Sequence, residues 1–141
     1  MVSLPPIVMV VEDDFVDVEL VKRGIRARKL NYGLLTSSDG NQALEMLRSD
    51  KLTHEERERL IVFLDINMPG MNGHQFLTKL REDPNLRRTI VFVLTTSDHP
   101  RDKQMAYDNN VAGYFVKSNL EGLLDTVAVY VENVEFPPVL P

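Results

Sequence analysis

Ile61-Val62-Phe63-Leu64-Asp65-Ile66-Asn67-Met68-Pro69-Gly70-Met71-Asn72-Gly73 is the stretch that decides the fold. Its four leading residues are apolar without alternation, the pattern of a strand buried on both faces and therefore of a parallel sheet. The run stops at a carboxylate, Asp65. A loop of Pro, Gly and Asn follows, ending at Asn72-Gly73 where a helix can begin. Open α/β sheets bind ligands beyond the carboxyl ends of their strands, so Asp65 stands where such a fold does its chemistry. An Asp after a strand is as often a loop or capping residue, and the groups that reach the same edge decide between the two readings.

Outward from this stretch the pattern repeats. Ile7-Val8-Met9-Val10-Val11 runs into Glu12-Asp13-Asp14, Ile90-Val91-Phe92-Val93-Leu94 into Thr95-Thr96-Ser97, and Tyr114-Phe115-Val116 into Lys117; 32–37 is a weaker strand. Helical spacing separates the strands. Segment 15–30 carries Val18, Val21 and Ile25, with Asp13 or Asp14 as its cap. Its Gly24 weakens a helix by roughly 1 kcal/mol relative to Ala, which points to close packing there. Segment 39–48 carries Ala43, Leu44 and Leu47, and 74–81 carries Phe76, Leu77 and Leu80 before Pro84. Segment 100–110 opens on Pro100, and 120–135 carries Leu120, Leu123, Leu124, Val127, Val131 and Val134. The charge-dense stretch 48–60 reads as a solvated connector in which Thr53 and Glu56 have capping-box spacing for a short exposed helix. Strands alternating with helices predict a doubly wound α/β domain. Its expected form is a flavodoxin-like five-stranded parallel sheet, order 2-1-3-4-5, with five helices in a three-layer αβα sandwich.

The 141 residues fit one domain, 1–135, followed by an apolar Pro-rich extension, 136–141. A net charge of −5 argues against nonspecific binding to nucleic acid or an anionic membrane. Without cysteine there is no disulfide, thiolate metal site or thiol nucleophile, and His54, His74 and His99 lie too far apart for a zinc motif. No apolar run has the length of a transmembrane helix, and residues 1–6 lack the features of a signal peptide, so a cytoplasmic protein is expected.

In a parallel sheet the four strand ends share one edge, which lets Glu12, Asp13, Asp65, Thr95 and Lys117 converge. Three carboxylates in one pocket repel one another unless a cation sits between them, and oxygen-only ligands suit Mg²⁺. A carboxylate beside Mg²⁺, with a hydroxyl and an ammonium opposite, is arranged to become an acyl phosphate. Asp65, alone at a central strand end, is the expected acceptor, which leaves Glu12 and Asp13 to hold metal. Singly, each residue has a plainer explanation: a helix N-terminus for the acids, a turn for Thr95, a solvated loop charge for Lys117. Together, at four strand ends, they are hard to dismiss.

Val10-Val11-Glu12-Asp13-Asp14, Leu64-Asp65 through Gly73, Val93-Leu94-Thr95-Thr96-Ser97 and Gly113-Tyr114-Phe115-Val116-Lys117 resemble the receiver domain of two-component response regulators, over about residues 6–133. The resemblance implies phosphotransfer from a histidine kinase phosphohistidine to Asp65. It implies Mg²⁺ held by Asp13, Asp65 and the backbone carbonyl of Asn67, with Glu12 acting through water. It gives Thr95 as the switch hydroxyl, Lys117 as the active-site lysine, and Tyr114 as the switch aromatic that turns inward when Thr95 moves toward the phosphate. Three positions depart from the usual pattern: Ser118 stands where Pro is usual, Thr96 is bulkier than the common small residue, and Glu12 replaces the commoner Asp. The Leu-Thr-Thr-Ser and Lys-Ser features and the C-terminal extension are similar to single-domain regulators paired with bacterial phytochrome kinases.

No effector module fits in the remaining chain, so the signal is expected to leave through the receiver itself, by conformational or oligomeric switching. Ala128, Val129 and Tyr130 make the last helix apolar nearly all round. A homodimer through the 100–135 face, with residues 136–141 reaching across to the other subunit, is therefore expected. The protein is not expected to be an enzyme with an external substrate: an aspartyl-phosphate hydrolase typically wants an acid two residues after its nucleophile, where Asn67 stands. A phosphorylation-independent binding platform has no need of the full acid, hydroxyl and lysine set, and a flavin-binding flavodoxin needs a hydroxyl-rich loop after its first strand.

Overall fold

The structure, a computed structural model, describes residues 4–139, so the start of the segment read for a targeting signal (1–3) and the end of the apolar extension (140–141) lie outside the described residues. Five parallel strands, β1 Ile7–Val11, β2 Gly33–Ser37, β3 Leu60–Leu64, β4 Ile90–Thr95 and β5 Gly113–Val116, form one sheet in the order β2-β1-β3-β4-β5. The helices are α1 Phe15–Ala27, α2 Gly40–Arg48, α3 His54–Arg57, α4 Gly73–Glu82, α5 Pro100–Asp108 and α6 Leu120–Asn133, with a 3-10 turn at Lys117–Asn119.

Alternate strand residues feed two cores. Met9, Val11, Val62, Leu64, Val91 and Val93 pack with Ala43, Leu44, Leu47, Phe76, Leu77, Leu80 and Ala106 of α2, α4 and α5. Val8, Val10, Ile61, Phe63, Phe92 and Leu94 pack with Val18, Val21, Ile25, Leu123, Leu124 and Val127 of α1 and α6. With helices on both faces, every residue of β1, β3 and β4 is buried, which is why these runs show no alternation. The edge strand β2 buries only Ser37 fully, and its sequence signal is correspondingly weak. Where α1 crosses α6, a Cβ at Gly24 would lie 2.6 Å from Leu124 Cδ1, the close packing that a mid-helix glycine predicted.

The ends of α1 and α6 fall short of the sequence reading. Helix α1 stops at Ala27 rather than 30, and Lys29 turns the chain at φ 56. Helix α6 stops at Asn133, and Val134 is extended at φ −112 and ψ 135. The connector 48–60 contains the short helix α3 that the Thr53/Glu56 spacing offered, with both reciprocal bonds of the capping box in place, which makes six helices where the fold reading counted five.

The Tyr130 side of α6 is not left wet. Its ring lies edge-on to Phe92 with centroids 5.7 Å apart, and Phe136 covers it from outside at 6.0 Å. Residues Phe136 to Val139 then line a groove with Leu60, Pro84, Leu86 and Ile90, below the amino ends of β3 and β4. The described part of the tail therefore folds back on its own chain, where the sequence placed it on a second subunit, because Phe136 finds its aromatic partner on its own α6. Val129 and Val134 stay exposed, at 61% and 42%. Among the described residues no helix is long and apolar enough to cross a membrane.

Candidate functional site

Register brings the strand ends level: Val11 pairs with both Ser37 and Leu64, Leu64 with Val93, and Thr95 with Val116. The residues that follow emerge at one edge. Glu12 and Asp65 are 6% and 3% exposed, Thr95 is fully buried, and Asp13 faces solvent. Asp14 is the cap of the pair considered: its Oδ1 accepts the N–H of Val16 at 2.8 Å and of Asp17 at 3.4 Å, which starts α1 and leaves Glu12 and Asp13 for the pocket.

The loop after Asp65 is fixed from both sides. The Asn67 N–H donates to Asp65 Oδ1 at 3.2 Å, and the Gly73 N–H donates to Ile66 O at 2.9 Å. A Cβ at Gly73 would meet Ile66 Cα at 2.6 Å and Asp65 O at 2.7 Å, so only glycine lets α4 start this close to the acid. The Asn72/Gln75 capping box holds that helix start.

Glu12, Asp13 and Asp65 each offer a carboxylate oxygen, and the three oxygens lie within 4.8 Å of one another. This donor set fits a divalent cation. Without one, burial pushes the Glu12 carboxyl up to about 7, with Asp65 adding repulsion against the opposing hydrogen bonds from Lys117 and the Asp14 N–H. The Lys117 Nζ lies 2.6 Å from Asp17 Oδ2, 2.9 Å from Glu12 Oε2 and 3.5 Å from Asp65 Oδ2. Burial favours its neutral form, but the hydrogen bonds to Asp17 and Glu12 outweigh burial and raise its pKa above the ordinary lysine value.

Thr95 and Tyr114 meet at one residue, Ser97. The Ser97 N–H donates to Thr95 Oγ1 at 3.4 Å, and the Tyr114 hydroxyl donates to Ser97 O at 2.9 Å. Ser97 Oγ in turn donates to Asp102 Oδ2 at 2.5 Å, and His74 Nε2 lies 3.0 Å from Asp102 Oδ1. These contacts with Ser97 and then His74 hold the Asp102 carboxyl below its usual range. The loop after β4 is thereby tied to the first turn of α4. On the other side of the pocket, the Asn67 side-chain amide donates to Thr96 Oγ1 at 3.4 Å, so the bulkier Thr96 touches the loop that carries Asp65. The Lys117-Ser118 peptide is trans, as are all peptides among the described residues.

The structure thus gathers Glu12, Asp13, Asp65 and Lys117 together, with the Asn67 N–H on Asp65 and with Thr95 and Tyr114 joined through Ser97. Sequence reading missed Asp17, which looks like any acid in a helix first turn, and the Asp102–His74 pair, whose members come from separate helices.

Residues 8–128 match the response regulator receiver domain profile. The chain belongs to the response regulator receiver family. Response regulator Rcp1 of Synechocystis sp. is 29% identical over 138 residues, covering 94% of each chain. The structure of the phosphorylated cyanobacterial phytochrome response regulator RcpA matches this receiver with a TM-score of 0.79 at 25% identity, covering 95% of this chain and 99% of that one. The Mn²⁺-bound form of Rcp1 matches at 0.76 and 26%, covering 94% and 99%. The bacteriophytochrome response regulator RtBRR matches at 0.76 and 29%, covering 97% and 82%. The flavodoxin-like receiver fold follows from the strand order and these neighbours together.

Proposed function

We propose that this response regulator receiver takes a phosphoryl group onto Asp65 from a phytochrome-type histidine kinase and signals through its own surface. The observation that carries the reading is the convergence of one buried acceptor carboxylate, an acidic pair, a hydroxyl and an ammonium at one sheet edge. In-line attack by an Asp65 carboxylate oxygen on phosphorus breaks the phosphorus–nitrogen bond of the kinase phosphohistidine, and the electron pair stays on the imidazole nitrogen. Glu12, Asp13, Asp65 and the Asn67 carbonyl are the residues that would hold Mg²⁺, which supplies charge neutralisation at the phosphoryl oxygens when bound. Lys117 neutralises a second oxygen, and the Thr95 hydroxyl hydrogen-bonds a third. Movement of Thr95 toward the phosphoryl group releases the Ser97 N–H and lets Tyr114 reset against the same loop.

Asp65 undergoes phosphorylation and hydrolysis without turning over an external substrate, and the setting is cytoplasmic. The names of Rcp1, RcpA and RtBRR support a phytochrome-type partner. We assign the receiver to residues 1–135 and an extension to 136–141. The exposed Tyr107, Val129 and Val134 support a homodimer through the 100–135 face.

Incubation with a radiolabelled, autophosphorylated phytochrome-type kinase tests this. Label is expected on the wild type and not on Asp65→Asn. Equal labelling of both proteins would remove Asp65 from its role. An unlabelled wild type that still binds the kinase would favour a phosphorylation-independent interaction platform.

A further inference from the structure

The shortest ion pair of Lys117 is made with a residue outside the strand ends. Asp17 Oδ2 lies 2.6 Å from the ammonium, closer than Glu12 at 2.9 Å or Asp65 at 3.5 Å. Asp17 stands in the first turn of α1, its N–H bonded to the Asp14 cap, and it lines the same small cavity as Glu12 and Asp65. Its side chain is 26% exposed against 5% for Glu12 and 3% for Asp65, so it holds the lysine from the solvent side of the pocket.

An ammonium has three N–H donors, and here three carboxylates surround it. Glu12 and Asp65 also belong to the cation cluster. A dication held there draws on both, and Asp17 alone keeps its full charge for Lys117. A lysine is a point charge on a long, flexible stem, so an unanchored ammonium spreads over several rotamers instead of facing one oxygen. We infer that Asp17 is the positioning residue for Lys117, anchoring it so that its free donors face Asp65 and the incoming phosphoryl oxygens. The inference rests on Lys117 being the cation that meets the phosphoryl group.

The test compares wild type, Asp17→Asn and Asp17→Glu for phosphorylation by acetyl phosphate at saturating Mg²⁺, over a range of donor concentrations, alongside thermal unfolding. The expected result is a fall of about tenfold in the saturating rate for Asp17→Asn, the size of a modest loss of positioning. The donor concentration for half-maximal rate should hardly change, and Asp17→Glu should recover most of the rate. A rate for Asp17→Asn equal to or above wild type overturns the inference. So does a slow rate in both variants with a matching fall in unfolding temperature, because Asp17 would then serve folding alone. A wild type that takes no phosphoryl group would overturn the proposed function itself, a result distinct from an unaffected Asp17→Asn.

Discussion

Glu12 shows how one side chain links the pocket to stability. Its carboxyl sits at about 7 in the folded protein against 4.5 in a solvated chain, because burial disfavours the anion. The folded state therefore holds the proton more tightly. The stabilisation that Glu12 contributes is fully present below about 4.5 and is lost as pH rises through about 7. Two outcomes follow. Without divalent metal, thermal unfolding should show the protein losing stability between pH 5 and pH 8 by more than Glu12→Gln does. The variant should be the more stable at pH 8, by roughly 1 kcal/mol, because Gln cannot carry the buried charge. Calorimetric titration with Mg²⁺ should show proton release near pH 6 in the wild type, and binding weakened at least about tenfold in Glu12→Gln. At this scale the sequence was legible wherever a residue ended a strand. Asp17 was not, because linear sequence does not say which acid of a helix first turn reaches a lysine 100 positions later.

At the scale of elements, the fixed units are the turn after β3 and the loop after β4. Gly73→Ala places a methyl group against the backbone of Ile66 and Asp65, which have no side-chain freedom with which to yield. It should cost roughly 2–3 kcal/mol in chemical denaturation and slow phosphorylation of Asp65 by displacing its loop. Asp102→Ala removes the acceptor shared by Ser97 Oγ and His74 Nε2. Hydrogen exchange should quicken across 96–103 and at the start of α4 while β1 and β3 keep their protection; unchanged exchange in that loop would show that the bridge holds nothing. The strands β1, β3 and β4 were legible because burial on both faces makes them continuous apolar runs, and the stripes of α1, α2 and α4 name the buried residues. The edge strand β2 was weaker, since half of it faces water. The bridge between α4 and α5 was invisible because it joins residues that only tertiary packing brings together.

For the whole molecule, the tail is what separates expectation from structure. An apolar segment after a helix does not say whether it covers its own chain or another. Phe136 against Tyr130 places the described part in its own groove. Deleting 136–141 should lower stability by about 1 kcal/mol, the worth of one half-buried aromatic side chain, as read by chemical denaturation. Light scattering on the deleted and full-length proteins should give the same mass, because the described tail lies on its own chain; a lower mass for the deleted protein would place the tail across a subunit interface. The central claim, however, is that Asp65 is a metal-dependent phosphoryl acceptor. The most direct measurement is the intact mass of wild type and Asp65→Asn after treatment with acetyl phosphate, with and without Mg²⁺. The account predicts one added phosphoryl group, only on the wild type, only with Mg²⁺, and lost on brief exposure to base. An adduct on Asp65→Asn, or none on the wild type with Mg²⁺ together with no binding of beryllofluoride, would contradict it.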